Sequence, residues 1–264
     1  MRIVTLQLFQ SPPMSHTRKR LQKLFGTTDG WKFYLHHKLR KEQPLRFPYL
    51  KHPVHLRYIP SLSDHIMFEQ IFYSRGYDID IPFEPRTIFD IGANVGLAAL
   101  YFANRFPDAK IIGVEPEQSN FSQAKRNTQP YSNVEILHGA IWPREETLRL
   151  LDKGFGEASF MVTPHEGEGS YELPAYTIAG LMKRADITTV DLVKIDIEGA
   201  EMDLFAENFE SWLPYTKVLL VETHDRYRPG TSRTVFETIN RYDFDLEVKG
   251  ENLVFYNRQL LPRG

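Results

Sequence analysis

From residue 87 onward, segments typical of β-strands and of α-helices alternate along most of the chain. Such alternation predicts a parallel, doubly wound sheet with helices on both faces. Glycine-rich residues 147–176 are expected to add further β structure, and two final segments to close the sheet as an antiparallel pair. We expect strands at 87–91, 110–114, 134–137, 192–197, 217–221, 244–248 and 252–256, and helices at 95–105, 119–127, 178–184, 200–208 and 234–242.

The composition is that of an ordinary globular protein, since 42% of the 264 residues are hydrophobic and 25% are charged. No segment approaches the ~18 apolar residues that a membrane span needs, and residues 1–13 make a poor signal peptide. The chain has no cysteine, which excludes disulfides and thiolate metal sites. A cytoplasmic location is therefore the default expectation.

Positive charge is concentrated at the start of the chain. Residues 1–57 hold 12 Lys and Arg against Asp29 and Glu42, a balance of +10, so that the remainder carries −12 within a total of −2. A basic segment of this kind suits an anionic membrane surface or an acidic substrate. We expect it mainly to pack on the acidic body, with Trp31, Phe33, Tyr34 and Leu35 as anchors. Peripheral membrane contact through residues 16–57 is the alternative, and no nucleic-acid partner is expected.

The N-terminal residues are predicted to form an extension that precedes the main domain. The extension, residues 1–60, is expected to be helical over 17–41, with a break from Gly26 to Gly30, and then to form a short hairpin over 45–57. The domain is expected to span 61–264, with its core at 86–257. A helix capped by Ser63 or Asp64 would lead into it.

The loop after the first predicted strand reads Asp90-Ile-Gly-Ala-Asn-Val-Gly96. A loop between a strand and a helix N-terminus presents free N–H groups to a ligand. Gly92 would let the backbone approach that ligand, and Gly96 would let the helix pack on the strand. A nicotinamide-dinucleotide loop would carry glycine at position 94, whereas Asn94 keeps the tight turn but suits a pyrophosphate less well.

The tips of the next two predicted strands carry residues suited to a nucleoside. Glu115 lies 19 residues after Gly96, where an acid at a strand tip can accept two ribose hydroxyls. The third strand is followed by Gly139, Ala140 and Ile141, and small residues there would leave room for a flat adenine. The order and spacing of these features predict a nucleoside-containing cofactor.

Two neighbouring strands end in polar side chains. A central parallel strand should be almost wholly apolar, yet the alternation over 193–198 places Lys194, Asp196 and Glu198 on one side. Glu222 and His224 repeat the pattern after 217–221. Because buried charges cost several kcal/mol unless paired, we interpret these tips as a catalytic site. A purely structural Lys–carboxylate pair is the alternative.

Each of these side chains suits a role in removing a proton from an acceptor. His224 is the first candidate for general base because its ordinary pKa is near neutrality. Asp196 is the second, as a base or as the group that orients the acceptor hydroxyl. Glu198 and Glu222 would hold the acceptor or His224, and Lys194 would balance the carboxylates.

Four motifs together resemble those of the FkbM-type family of class I methyltransferases. They are Asp-Ile-Gly-Ala-Asn-Val-Gly, Val-Glu-Pro-Glu, Val-Lys-Ile-Asp-Ile-Glu-Gly-Ala-Glu and Val-Glu-Thr-His, and the resemblance covers about 61–256. It implies a Rossmann-like α/β fold with a seven-stranded, mostly parallel sheet in the order 3-2-1-4-5-7-6 and an antiparallel last strand. It also implies S-adenosyl-L-methionine (SAM) as cofactor and, usually, methylation of a hydroxyl.

The resemblance also implies where SAM would lie. It points to Asp90, Gly92, Asn94, Glu115 and the surroundings of Ala140. Neighbours in the same loop and strand tips complete our predicted cofactor set: Ala93, Gly96, Pro116, Gly139 and Ile141.

Carboxylates and an imidazole are also ligands that divalent ions take. We expect no metal, because the Asp pairing of metal-dependent methyltransferases is not evident. A divalent ion bound by Asp196, Glu198, Glu222 and His224 is the less favoured alternative.

The predicted function is SAM-dependent O-methylation of a sugar, glycan or other polyhydroxylated small molecule, a substrate class that comes from the resemblance. The Asn/Asp-Pro-Pro-Tyr strand end of amino-group methyltransferases is replaced here by Asp196-Ile-Glu-Gly, which favours an oxygen acceptor. One alternative is a nicotinamide-dependent oxidoreductase, although no Tyr-x-x-x-Lys pair follows the fourth strand. Another is a non-catalytic SAM-binding module attached through the basic segment.

Overall fold

The computed structural model describes residues 14–39, 44–57, 63–152, 160–163 and 171–261. Strands and helices alternate after residue 86, as predicted. The strands are β1 (Thr87–Ile91), β2 (Lys110–Glu115), β3 (Val134–His138), β4 (Ala140–Ile141), β5 (Thr147–Asp152), β6 (Phe160–Thr163), β7 (Glu172–Tyr176), β8 (Val190–Ile195), β9 (Thr216–Glu222), β10 (Phe244–Lys249) and β11 (Asn252–Asn257). The helices are α1 (Met14–Leu39), α2 (Ser63–Phe72), α3 (Leu97–Arg105), α4 (Gln118–Thr128), α5 (Ile178–Ala185), α6 (Glu201–Ala206) and α7 (Thr231–Ile239).

The main sheet has seven strands in the order β3-β2-β1-β8-β9-β11-β10. All neighbouring strands from β3 to β9 are parallel, and β11 is antiparallel to both β9 and β10. Numbered within this sheet alone, the order is 3-2-1-4-5-7-6. The predicted Rossmann-like α/β fold is therefore confirmed, and the tips of β1, β2, β8 and β9 meet at one edge, where open sheets bind ligands.

Alternate residues of the buried strands serve two hydrophobic layers. In β1, Ile88 packs in the core between the sheet and helices α2, α3 and α4. Phe89 packs in the core on the opposite face, between the sheet and helices α5, α6 and α7. Every residue of β1 is buried. This two-sided burial is the reason the central strands are nearly continuous in apolar residues.

The expected extra β structure forms a second, four-stranded sheet in the order β4-β7-β5-β6. Its pairing includes both parallel and antiparallel strands, since β4 runs parallel to β7 while β5 is antiparallel to β6 and β7. The glycine-rich turns at Gly154, Gly156, Gly167 and Gly169 lie outside the described residues. None of the described helices is long and apolar enough to cross a membrane.

The N-terminal helix is interrupted at Gly26, whose backbone is not helical (φ 72°, ψ 178°). The predicted break is present, but it is confined to Gly26, because residues 27–30 are helical. A Cβ added to Gly30 would lie 2.6 Å from the Cα of Gln22, so the two halves of α1 are in close contact. The ring centroids of Phe25 and Phe33, one on each half, are 4.0 Å apart.

The extension shares its hydrophobic core with the sheet. Phe25 and Phe33 belong to the same buried layer as Ile88 of β1. Phe33 is thus an anchor as predicted, but Trp31 and Leu35 are 39% and 48% exposed, so the prediction was wrong for these two. Burial of Phe25 and Phe33 follows from their position on the inner sides of the two half-helices.

Residues 45–57 pair with each other far less than the predicted hairpin requires. Within the described chain, the pairing is an isolated bridge between Leu45 and Val54. Other backbone groups of this segment bond to helices instead: the N–H of Lys51 donates to Asn104 of α3, and the N–H of His55 donates to Asn127 of α4. Side-chain amides of the domain therefore supply hydrogen bonds that the two pieces of a longer hairpin would make with each other.

A buried ion pair joins the extension to the domain. The guanidinium of Arg57 donates to Asp64 (Nη2–Oδ1 2.9 Å), to Ser119 (3.0 Å) and to Asn120 (2.9 Å). Asp64 also accepts the backbone N–H of Arg57 at 2.8 Å, so its carboxylate serves this contact and is not the predicted helix cap. One of the basic residues of the extension is thus used inside the protein.

We expect Arg57→Ala to lower the free energy of unfolding by about 3–5 kcal/mol, because Asp64 would be left as an uncompensated buried charge. Urea unfolding followed by circular dichroism measures this change.

Arg258→Ala is the matched control, since Arg258 pairs with Asp245 but both side chains are more than half exposed. It should change stability much less. Equal losses for the two variants would contradict the anchoring role of Arg57.

Candidate functional site

The loop after β1 is held by β2. The N–H groups of Gly92 and Ala93 both donate to the carbonyl of Val114, and the N–H of Asn94 donates to Glu115 (2.8 Å). Asn94 has φ 47°, the positive value expected of it. These three N–H groups therefore hold the loop against β2, and the predicted binding of a ligand by the helix N-terminus stays a prediction.

The two glycines of this loop allow contacts within the protein. A Cβ on Gly92 would lie 1.8 Å from the carbonyl oxygen of Asp196, and one on Gly96 would lie 3.1 Å from the Cα of Ala124 on α4. Both have positive φ values, near 80°. Gly92 thus allows the loops after β1 and β8 to touch, and Gly96 packs α3 on α4 rather than on a strand.

Glu115 lies at the tip of β2, buried beside this loop. Its carboxylate accepts hydrogen bonds from the N–H of Asn94 (2.8 Å), the N–H of Glu117 (2.9 Å) and the amide of Asn120 (3.4 Å). Burial raises its pKa to about 7, although these hydrogen bonds oppose the rise. A carboxylate has about four lone-pair sites, so Glu115 retains acceptor capacity for a ribose hydroxyl.

The small residues after β3 are enclosed by the second sheet. A Cβ on Gly139 would lie 2.6 Å both from the carbonyl of Pro174 and from the ring of Tyr176. Ala140 and Ile141 are buried and form β4, which pairs with β7. Tyr176 therefore lies where a side chain at position 139 would begin, and the predicted adenine position at this tip stays a prediction. Pro116, the remaining member of the predicted set, accepts a hydrogen bond from the hydroxyl of Tyr171 through its carbonyl (2.7 Å).

The ammonium of Lys194 lies beneath the loop, 2% exposed. It donates to the carbonyl of Gly92 (2.7 Å) and lies 3.2 Å from Asp90 and 3.6 Å from Asp196. Burial alone would lower the pKa of Lys194, but Asp90, Tyr77 and Asp196 together raise it above its usual range. For Asp90, burial raises the pKa of the carboxyl group, and the nearby charge of Lys194 opposes this rise. The positive charge of Lys194 therefore lies beside the carboxylates of Asp90 and Asp196, in agreement with the predicted pairing of Lys194 with carboxylates.

Asp196 and Glu198 lie beyond the end of β8, which stops at Ile195. Glu198 has φ 55°, so the alternation of a strand does not apply to it. The two carboxylates nevertheless face the same histidine, because the loop turns back at Glu198. Burial raises the pKa of Glu198 to about 7.

His224 brings the tips of β8 and β9 together. Its Nδ1 lies 2.9 Å from Glu201, and its Nε2 lies 3.6 Å from Asp196, 3.8 Å from Glu198 and 3.4 Å from Glu222. Burial would lower the pKa of His224, but contacts with Glu201 and Glu222 and the charge of Asp196 raise it to about 11. These carboxylates favour the charged form of the ring as long as no other cation lies beside it. The role of His224 as general base stays a prediction.

Glu201 is the residue of this cluster that sequence reasoning missed. It is fully buried, and its carboxylate accepts the N–H groups of Ile197 (2.9 Å) and Gly199 (2.8 Å) as well as contacting His224. An acid in the first turn of a helix after a glycine was the available signal, because such an acid can reach back to preceding N–H groups. Glu201 thereby holds the loop and the histidine in one arrangement.

A cavity of about 230 Å³ opens at the tips of β8 and β9. Asp196 and Glu222 line it, together with Tyr77 and, from β11, Asn252. Met67 and Ile71 of α2 supply apolar wall. The cavity therefore presents two carboxylates to a small polar molecule. The rest of the wall described here comes from α2, Tyr77 and β11, which lie outside the strand tips on which the sequence prediction was based.

Comparison with known proteins gives consistent matches. The sequence profile of the methyltransferase FkbM domain matches residues 90–246, more than half of the chain. Methyltransferase sdnD from Sordaria araneosa is 25% identical over 215 residues, which cover 69% of this chain and 82% of that protein. Methyltransferase 1 from Beauveria bassiana is 23% identical over 205 residues, covering 67% and 80%. The crystal structure of methyltransferase FkbM from Methylobacillus flagellatus aligns with a TM-score of 0.47 and 11% identity, over 92% of this chain and 58% of that one.

Gly92→Ala should destabilise the protein, because its Cβ would overlap the carbonyl of Asp196 in addition to the strain of a positive φ. We expect a loss of roughly 1–3 kcal/mol from the overlap, on top of roughly 1–2 kcal/mol for the left-handed backbone. Urea unfolding measures the sum.

Gly250→Ala separates the two contributions. Gly250 also has a positive φ, 62°, but its Cβ would meet nothing within 4 Å. It should therefore show only the backbone cost, and equal losses for both glycines would disprove the close contact of the two loops.

Proposed function

The chain belongs to the FkbM methyltransferase family, and on this premise we propose that it is a SAM-dependent O-methyltransferase that acts on a sugar, glycan or other polyhydroxylated small molecule. Family membership argues against the nicotinamide-dependent oxidoreductase. The observation that carries the proposal is the cavity in which Asp196 and Glu222 lie side by side at the sheet edge. Two carboxylates are suited to hydrogen-bond the hydroxyls of such an acceptor.

The cofactor implied by the family fits the residues at the tips of β1 and β2. SAM supplies a methyl group activated by its sulfonium charge. Glu115 offers a buried carboxylate with a remaining lone pair for a ribose hydroxyl. Its bonds to Asn94 and Glu117 fix this carboxylate before any ligand binds, which lowers the entropy that binding costs.

The acceptor hydroxyl would bind in the cavity beyond Asp196. Alignment of two reactants is worth effective molarities of ~10⁵–10⁸ M, and the buried contacts of Lys194 and His224 hold Asp196 for that purpose. One of the two cavity carboxylates, Asp196 or Glu222, takes the hydroxyl proton as the oxygen–methyl bond forms. His224 lies behind them, 2% exposed, and positions both.

The size and lining of the cavity favour a small polar acceptor group. A volume of about 230 Å³ accommodates one sugar-sized unit, and Asn252 adds an amide to the two carboxylates. Met67 and Ile71 offer apolar surface to the carbon face of such a ring. A polyhydroxylated unit presents both kinds of surface.

Glu115→Gln should weaken binding of S-adenosylhomocysteine by about 10–100-fold, because hydrogen bonds to a charged group contribute about 1.5–3 kcal/mol. Isothermal titration calorimetry gives the affinity.

The neighbouring Glu117→Gln is the control, since that carboxylate caps α4 through the N–H of Asn120. It should keep affinity near that of the unchanged chain. An unchanged affinity in Glu115→Gln would remove Glu115 from the cofactor site.

Asp196→Asn and Glu222→Gln should each lower kcat, by roughly 10²–10⁴-fold for whichever carboxylate takes the proton. Transfer of labelled methyl from SAM to a panel of sugars and glycans measures this, with cofactor affinity followed in parallel.

Glu237→Gln, an exposed substitution on α7, should leave kcat unchanged. Full activity in both cavity variants would overturn the assignment of the acceptor site. Methylation of amines but of no hydroxyl compound would overturn the oxygen specificity.

A further inference from the structure

The side chain of His224 is 2% exposed, and its two ring nitrogens have different surroundings. Nδ1 is engaged by the fully buried Glu201 at 2.9 Å. Nε2 points to the tips of β8 and β9, where carboxylate oxygens of Glu222, Asp196 and Glu198 lie 3.4, 3.6 and 3.8 Å away. These three distances exceed the ~2.7–3.2 Å of a normal N–H···O hydrogen bond.

From this geometry we propose that Asp196, Glu198 and His224 bind a divalent metal ion. One ligand atom from each of the three side chains lies within 4.8 Å of the other two. An ion with bonds of ~2.1 Å holds neighbouring ligand atoms about 3.0–3.4 Å apart. The distances from Nε2 therefore need to shorten by only a few tenths of an ångström to about one ångström.

The contact between Glu201 and His224 is typical of a metal-bound histidine. Such a histidine donates its second ring N–H to a carboxylate, which fixes both the tautomer and the ring orientation. Glu201 is itself held by the N–H groups of Ile197 and Gly199. The ring of His224 is thus oriented before an ion arrives.

A separate observation points to a ligand at the same place. The Oε2 atom of Glu198 is buried and has no hydrogen-bond partner among the described residues, yet it faces Nε2 of His224 at 3.8 Å. A buried carboxylate oxygen without a donor costs free energy that a bound cation would offset. Lys194, at 3.6 Å from Asp196, also contacts Asp90 and does not reach Glu198 closely enough to pair with it.

The ligand set indicates the kind of ion. Imidazole suits zinc, iron and nickel, whereas carboxylates suit magnesium, calcium and manganese. One imidazole with two carboxylates therefore favours a first-row divalent ion such as Mn²⁺ or Zn²⁺. This proposal replaces our expectation from the sequence, which disfavoured a metal because the Asp pairing of metal-dependent methyltransferases is not evident.

The inference rests on the proposed function for the role of the ion. Because the cavity is adjacent to Asp196, an open coordination position there would take the acceptor hydroxyl and lower its pKa. As the oxygen–methyl bond forms and the sulfur–methyl bond of SAM breaks, the hydroxyl proton would pass to Glu222. Glu222 suits this step because it lines the cavity and lies outside the three proposed ligands.

Titration of the chelator-treated full chain with Mn²⁺, followed by electron paramagnetic resonance of the free ion, tests the proposal. We expect one Mn²⁺ per chain and competition by Zn²⁺. Glu198→Gln and His224→Ala should each weaken binding at least tenfold. Glu201→Gln, which alters the support of His224 and of the loop that carries Glu198, should weaken it by about 10–100-fold.

Glu247→Gln is the control, because it removes one exposed carboxylate from β10 and should change Mn²⁺ affinity less than twofold. Circular dichroism of each variant distinguishes the loss of a metal ligand from the loss of folding. Titration of the unchanged chain shows by itself whether the protein binds one metal ion. Absence of stoichiometric Mn²⁺ and Zn²⁺ binding to it, or equal weakening by Glu247→Gln, would overturn the proposal.

Methyl transfer measured with and without chelator separates this inference from the proposed function. A chain that binds Mn²⁺ through these residues but methylates no hydroxyl compound contradicts the proposed function alone. A chain that methylates equally well in chelator and binds no ion contradicts the metal site alone.

Discussion

The buried ammonium of Lys194 joins the two loops on which the site depends. It donates to the carbonyl of Gly92 after β1 and lies near Asp196 after β8. The missing side chain of Gly92 allows these loops to touch, and the N–H of Asp196 donates to the carbonyl of Ile91. The loops that carry the proposed cofactor and acceptor positions are therefore held directly against each other.

This arrangement concentrates charge where a fold would normally exclude it. Isolated buried ions cost several kcal/mol each, and even good pairing often only compensates that cost. Here Lys194 faces Asp90 and Asp196, while His224 faces a group of carboxylates. Such a concentration of compensated charge is expected at a catalytic site, where electrostatic groups must be oriented before the substrate arrives.

The extension is connected to this site by hydrogen bonds. Arg57 donates to Asn120, whose amide in turn contacts Glu115. Arg57 is also held by Asp64 at the start of α2, and α2 supplies Met67 and Ile71 to the cavity wall. The N-terminal extension, where the family resemblance is weakest, thus contacts helices that border the proposed cofactor and acceptor positions.

The positive charges of the N-terminal residues differ in their surroundings, which the net charge of this segment does not show. The leading residues carry an excess of +10, yet Arg57 is consumed by an internal ion pair. Lys19 and Lys23 are exposed on α1. Exposed lysines such as these remain available to an anionic surface. The basic segment thus contributes both a buried ion pair inside the protein and positive charge on its surface.

Much of the fold follows from local signals in the sequence. The alternation of apolar segments, the turn at Asn94 and the order of strand tips depend on residues close together in the chain, and the structure agrees. Boundaries shifted where backbone conformation decided: α3 begins at Leu97 because Gly96 is left-handed, and β8 ends at Ile195 before the loop turns. The predicted hairpin is reduced to one antiparallel bridge between Leu45 and Val54, while side-chain amides of α3 and α4 bond to other backbone groups of that segment.

By itself the sequence determined the α/β class, the strand order implied by its motifs, and the gathering of polar residues at the tips of adjacent strands. Only the tertiary structure decided which of those residues contact one another. Glu201 and His224 meet because two loops converge. Neither the carboxylates around the histidine nor the short distances among Asp196, Glu198 and His224 can therefore be predicted from the spacing of these residues in the sequence. Loop glycines that would serve a ligand in an isolated strand–loop–helix unit instead permit contact with Asp196 and Ala124, because close approach is a property of two segments.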